Sequence, residues 1–111
     1  MPTKKKKLTT EKDVKTAIRK LLDDFDVWYY MPAASVYSKR GIPDFICCVN
    51  GRMVAIEAKR PGVGIKGLSP YQVMHNRKIV KNKGEYIVVW NEETLAQLKD
   101  ALELIFLINK S

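Results

Sequence analysis

Residues 41–59 read GIPDFICCVNGRMVAIEAK, and the pair at their centre, Asn50-Gly51, decides how the chain folds. Asn-Gly between two apolar, β-branched runs is the strongest short-range hairpin signal, because a type I′ turn needs positive φ at both central residues. A two-residue loop fixes the register: Val49 faces Arg52, Cys47 faces Val54, Phe45 faces Ile56, and Asp44 faces Glu57. Directly opposed residues on antiparallel strands point to one side, with Cβ atoms about 4.5–5.5 Å apart. Lys59, two residues past Glu57, projects from that same side. Val54, Ile56 and Ala58 project from the other, toward a core.

Two carboxylates so close repel each other, and ionising both is unfavourable without a cation between them. A hard divalent ion with oxygen ligands, Mg²⁺ or Mn²⁺, is the natural occupant. Lys59 beside them would orient or activate a water, or steady negative charge developing on a phosphate. The plainer alternative is an ion pair on a solvated sheet face. For one acid and one lysine that alternative wins; for Asp44, Glu57 and Lys59 together in this register the catalytic reading leads.

The chain has 111 residues, which suits one compact domain with a small core that a homodimer would enlarge. Twenty Lys and Arg against 12 Asp and Glu give a net charge of +8 and a pI near 9.6. This excess favours a polyanionic partner, either nucleic acid or an anionic membrane surface. Cys47 and Cys48 are adjacent in a strand, so they point to opposite faces and cannot easily bond to each other. No CxxC spacing suggests zinc. Buried, reduced thiols fit a cytoplasmic protein. No apolar run is long enough to span a membrane, and the first residues do not read as a signal peptide.

Taken in order, residues 1–8 with Lys4-Lys5-Lys6-Lys7 read as a flexible basic arm, and residues 9–111 as the single folded domain. A helix begins near Thr9 or Thr10, with Thr10 as N-cap and Asp13 in the first turn. Val14, Ile18, Leu21, Leu22 and Phe25 make its apolar stripe. Glu11 extends that stripe by one turn, either to favour the helix dipole or as a third acid reaching toward the metal. Val27 to Met31 reads as a first strand ended by Pro32. The loop from Ala33 to Ile42 carries Lys39 and Arg40, placed to clamp a phosphate backbone beside Asp44. Gly41 permits a positive φ or a close backbone approach, and Pro43 keeps Ile42 extended.

Beyond the hairpin, the Gly-rich segment Arg60 to Leu68 reads as a mobile loop over the active edge, with Arg60 and Lys66 as phosphate contacts. Ser69-Pro70 starts a second helix that runs to about Asn82 or Lys83, with Gly84 as its stop. Gln72 in its first turn suits a polar contact into the active centre. His75, the only histidine, reads as solvated or partner-facing. Arg77 and Lys78, with Lys81 and Lys83, give this helix a basic face. Glu85 to Trp90 is a central strand, and Asn91 caps a last helix with Leu95, Leu98, Leu102, Ile105 and Phe106 inward. The Leu104 to Ile108 end is apolar on more than one side, which hints at a subunit contact. The order α-β-β-β-α-β-α predicts an α/β sandwich on a mixed sheet, with the unit from Met53 to Trp90 as a right-handed parallel crossover.

Pro43-Asp44 followed by Glu57-Ala58-Lys59 resembles the PD-(D/E)XK nuclease motif. With Gly41-Ile42 in front, a Gly-containing loop behind, and Leu68-Ser69-Pro70-Tyr71-Gln72 after it, the chain resembles more narrowly the VRR-NUC family in its short stand-alone form. The resemblance covers nearly the whole chain. It implies a restriction-endonuclease-like fold and a Mg²⁺- or Mn²⁺-dependent phosphodiesterase acting on DNA. Asp44, Glu57 and the Ala58 carbonyl would be metal ligands, and Lys59 would position water or stabilise charge. Glu11 would match the family's helix acid and Gln72 its active-site glutamine. Stand-alone members are homodimers associated with cutting branched DNA such as four-way junctions. The expected function is therefore a structure-selective, Holliday-junction resolvase-like endonuclease. A basic DNA-binding module with a merely structural acidic cluster is the alternative. A membrane-surface protein ranks below both, for want of a basic amphipathic helix with an exposed apolar face.

Overall fold

The computed structural model of the chain describes residues 7–33 and 39–108. Among them the order is α1 (Glu11–Asp24), β1 (Trp28–Tyr30), β2 (Phe45–Val49), β3 (Arg52–Ala58), a 3₁₀ turn (Gly64–Gly67), α2 (Pro70–Lys81), β4 (Glu85–Val89) and α3 (Glu92–Ile108). The expected α-β-β-β-α-β-α order is present, with the 3₁₀ turn added. The four strands form one sheet in the order β1-β2-β3-β4, so β4, expected at a central position, lies at an edge, and only its Val89 is buried. β1–β2 and β2–β3 are antiparallel and β3–β4 is parallel, so the sheet is mixed as expected.

The hairpin folds in the register the Asn-Gly pair dictates. Asn50 and Gly51 have φ of 49° and 87°, the two positive values a type I′ turn requires. Phe45 pairs with Ile56, Cys47 with Val54 and Val49 with Arg52. One face of the sheet, bearing Phe45, Cys47, Val49, Val54, Ile56 and Ala58, is fully buried. Val14, Ile18 and Leu22 of α1 and Leu98, Leu102 and Ile105 of α3 join the same core cluster. Phe25 and Phe106 stack with centroids 6.2 Å apart and tie the two helices together. Burying an aliphatic side chain of this size stabilises by about 1.5–3 kcal/mol, so these six helical residues anchor the layer.

Helix ends are set by local chemistry. Thr10 and Asp13 form a capping box, and so do Ser69 and Gln72. Asn91 Oδ1 accepts the Thr94 N–H at 2.8 Å and caps α3. The end of α2 differs in one residue from expectation. The left-handed position is Lys83, with φ of 71°, while the Gly84 N–H reaches the Ile79 carbonyl at 2.9 Å in a Schellman motif. Gly84 is needed for space instead, since a Cβ there would lie 2.8 Å from Ile79 Cγ2.

The packed domain starts one residue earlier than expected. Leu8, assigned to the basic arm, is buried, and its N–H donates to Glu92 Oε1 at 2.9 Å. Residues 1–6 of that arm, and Tyr37 and Ser38 of the loop before Gly41, lie outside the described residues. The cysteines also split: Cys47 is buried in the core and Cys48 is exposed on the opposite face, so only one thiol of the pair is sequestered. Burial pushes the Cys47 thiol up to about 12. Among the described residues no helix is long and apolar enough to cross a membrane.

Candidate metal centre

The centre is built at the end of the hairpin away from its turn. β2 and β3 alternate sides, so the residues flanking the core positions point to the second face. Glu57 points there from β3, beside Val88 of β4. Asp44 sits at the bend just before β2, and its side chain lies beside that of Glu57. Near the acids this face is covered, for Ala55 is fully buried and Glu57 is only 3% exposed, whereas Cys48 and Met53 nearer the turn are exposed. α2, in the segment returning from β3 to β4, packs against β4.

Asp44 is tied to the next residue of β3: its Oδ2 accepts the Ala58 N–H at 2.8 Å. Glu57 meets the Asp44 carboxyl side chain to side chain. Its Oε2 is buried without a hydrogen-bond partner, as is the hydroxyl of Tyr86. Burial, then the hydrogen bond and like charge of Asp44, push the Glu57 carboxyl up to about 9, while Lys59 pulls the other way. Charge from Glu11 adds to the upward push. The Tyr86 hydroxyl is likewise pushed upward, by burial and by the Glu57 and Asp44 charges.

Lys15, which the sequence reading passed over, joins the helix to this centre. Its Nζ lies 3.6 Å from Asp44 Oδ1 and 3.7 Å from Glu11 Oε2. Glu11 itself is exposed, and it reaches Asp44 only through this ammonium. Among the described residues no three His, Cys, Asp or Glu side chains are gathered closely enough to hold a metal as they stand. The donor set nonetheless suits a hard cation. An orphaned, desolvated carboxylate oxygen beside a second carboxylate is an oxygen site short of positive charge.

Lys59 is half-buried at the end of β3, where its N–H donates to the Val89 carbonyl at 2.9 Å. The segment after it, read from sequence as a mobile loop, carries a short helical turn. It closes into the 3₁₀ turn, and Gly67 packs so tightly that a Cβ there would collide with Val63 Cγ1 and lie 3.5 Å from Lys59 Cδ. Gly67 thus leaves room for the lysine stem.

The GIPD loop is docked on the start of α2. Gly41 has φ of 77°, and a Cβ on it would meet Tyr71 Cβ at 2.6 Å and the Gln72 nitrogen at 2.8 Å. Both expectations for Gly41, positive φ and close approach, hold at once. His75 Nε2 donates to the Arg40 carbonyl at 2.9 Å, and the Arg40 guanidinium sits 5.6 Å over the Tyr71 ring. The half-exposed histidine thus also ties α2 to this loop. The Gln72 backbone lies against Gly41, and its Oε1 accepts the Ser69 N–H at 2.8 Å. It makes no hydrogen bond to either acid among those described, and the capping box accounts for it.

Of the expected phosphate contacts, Lys39, Arg40, Arg60, Lys66, Arg77 and Lys78 are all exposed. Arg40 and Lys39 lead into the acidic end, and Arg60 and Lys66 flank Lys59 in sequence. Arg77 and Lys78 lie further along α2. An open cleft of about 460 Å³ lies at the other end of the hairpin, lined by Gly51, Arg52, Met53, Asn82, Lys83 and Gly84, away from the acids.

No protein-family model matches this sequence, and no curated protein is similar to it at a significant level.

Proposed function

We propose that this chain is a metal-dependent DNA endonuclease of the PD-(D/E)XK kind, similar to stand-alone VRR-NUC proteins and selective for branched DNA. The observation that carries the reading is Glu57: a carboxylate buried on the sheet beside Asp44, with one oxygen unpartnered and a lysine two residues on. Two acids and a lysine are more than a core of this size needs for stability, because a buried polar group without a hydrogen-bond partner costs free energy even when neutral.

In this reading Asp44, Glu57 and the Ala58 carbonyl hold Mg²⁺ or Mn²⁺, with Glu11 as an outer ligand. The bound ion supplies a water acidified toward neutral pH and offsets charge on the scissile phosphate. Lys59 donates to the attacking water or to a phosphoryl oxygen, and the tight packing around Gly67 limits where its stem can run. Ala58 holds Asp44 through its N–H, so one carboxylate oxygen is already oriented. Lys39, Arg40, Arg60 and Lys66 bind the backbone on either side of the cut, and Arg77 and Lys78 extend the track.

A homodimer suits this substrate, since two centres about a two-fold axis match the two-fold axis of a four-way junction. Exposed Trp28 and Tyr30 on β1, and Leu104, Leu107 and Ile108 on α3, are apolar surface available for such a contact. A cytoplasmic location is part of the same reading.

The second reading, a basic DNA-binding module, is favoured by one observation: the Lys15 ion pairs already satisfy Asp44 and Glu11 without a metal. Incubation with linear, flap and four-way-junction DNA, with and without Mg²⁺, separates the two. The nuclease reading expects Mg²⁺-dependent cuts in the branched substrates; binding without cuts in either Mg²⁺ or Mn²⁺ supports the module.

A further inference from the structure

We infer that Lys15 is the resident counter-ion of the acidic centre, and that a divalent cation must displace its ammonium to bind. The inference rests on the metal-dependent reading above and adds the device that sets metal affinity.

Each carboxylate oxygen of Asp44 has a distinct partner. Oδ2 is committed to the Ala58 N–H at 2.8 Å. Oδ1 faces Lys15 Nζ at 3.6 Å, so the oxygen left for a ligand is the one the lysine holds. The same ammonium lies 3.7 Å from Glu11 Oε2, one helical turn back. It therefore stands between Asp44 and Glu11, where a competing positive charge acts on the Asp44 oxygen directly. Lys15 is half-buried, with about a third of its side chain exposed. The attraction is thus only partly screened, yet the head can reach water by turning on its flexible stem.

Lys59 does not share this part. It leaves β3 rather than the helix, and its stem runs past Gly67 and Val63. Two lysines thus reach one centre from different elements. Lys59 stays beside the reacting phosphate, and Lys15 yields its place to the ion. Once displaced, the Lys15 ammonium is free to meet a phosphate at the mouth of the site. Lys15 is accordingly a positioning residue that governs metal occupancy.

The experiment is a calorimetric titration of Mn²⁺ into the DNA-free protein, comparing the parent with Lys15→Met, Lys15→Arg and Asp44→Asn. Methionine keeps most of the aliphatic stem and removes only the charge, so packing on α1 is preserved. Lys15→Met is expected to bind Mn²⁺ on the order of tenfold more tightly. Lys15→Arg should stay within about threefold of the parent, and Asp44→Asn should lose binding. Equal or weaker affinity in Lys15→Met, with clear binding by the parent, overturns the inference and leaves the metal reading standing. Absence of Mn²⁺ binding by both the parent and Lys15→Met overturns the metal reading, and the inference with it.

Discussion

Asp44 Oδ2 accepts the Ala58 N–H at 2.8 Å, so an acidic side chain continues the β2–β3 ladder past the point where β2 begins. The Lys59 N–H points the other way, to the Val89 carbonyl on β4. Alternate N–H groups of β3 thus serve opposite neighbours, and at Ala58 the neighbour is a carboxylate instead of a backbone carbonyl. The contact fixes Asp44 beside Glu57.

Replacement at Asp44 therefore separates structure from chemistry. Asp44→Asn retains an acceptor for the Ala58 N–H and should unfold within about 1 kcal/mol of the parent in urea. Its cleavage should fall at least about a hundredfold. Asp44→Ala strands the N–H and should cost about 1–3 kcal/mol in addition to activity. Equal cleavage by parent and Asp44→Asn would count against any role in holding a cation.

Glu57 sets a pH dependence with a definite sign. The folded chain keeps this carboxyl protonated up to about 9, against an ordinary value of 4.5. Between those values the native state binds more protons than the unfolded state, so metal-free stability is greatest at the acid end. It declines as pH rises toward 9. Glu57→Gln cannot ionise, so its melting temperature should gain on the parent's steadily from pH 5 to pH 9. A constant difference across that range would mean that Glu57 is already ionised in the folded chain. Metal uptake should also release about one proton at neutral pH, measurable as a buffer-dependent heat.

Gly41 joins the loop to α2, and its role is steric. A methyl group there would sit 2.6 Å from Tyr71 Cβ on a backbone with φ of 77°. Gly41→Ala should cost about 2–4 kcal/mol by urea denaturation, combining the strained φ with the clash. Asp44 is three residues away, so cleavage by the folded fraction should fall as well. A neutral result would show that the loop is free of α2 in solution.

Much of this was legible because local rules dominate where it matters. Asn50-Gly51 alone specified the turn and the register from Val49–Arg52 to Phe45–Ile56, which brings Asp44 and Glu57 to one end of the hairpin. Caps at Thr10, Ser69 and Asn91 were readable because each needs only a side chain and an amide within three residues. What escaped was non-local. Lys15 lies four residues after Glu11, so its pairing with Glu11 was open to inspection, but its approach to Asp44 depends on how α1 crosses the sheet. Tyr86 nears the acids only through the parallel β3–β4 register, which no turn dictates. Gln72 adds a role that spacing alone did not single out: its oxygen caps its own helix. The 3₁₀ turn at Gly64–Gly67 was hidden by glycines, which read as freedom but here permit close packing.

The most direct test uses a four-way DNA junction, labelled on each strand in turn, mixed with Mg²⁺ and either the parent protein or Glu57→Gln, with binding followed in parallel. The account predicts discrete strand cuts by the parent, none by Glu57→Gln, and junction affinities within about threefold of each other. Cuts of equal rate from both proteins, or none from the parent at any Mg²⁺ or Mn²⁺ concentration, would contradict it.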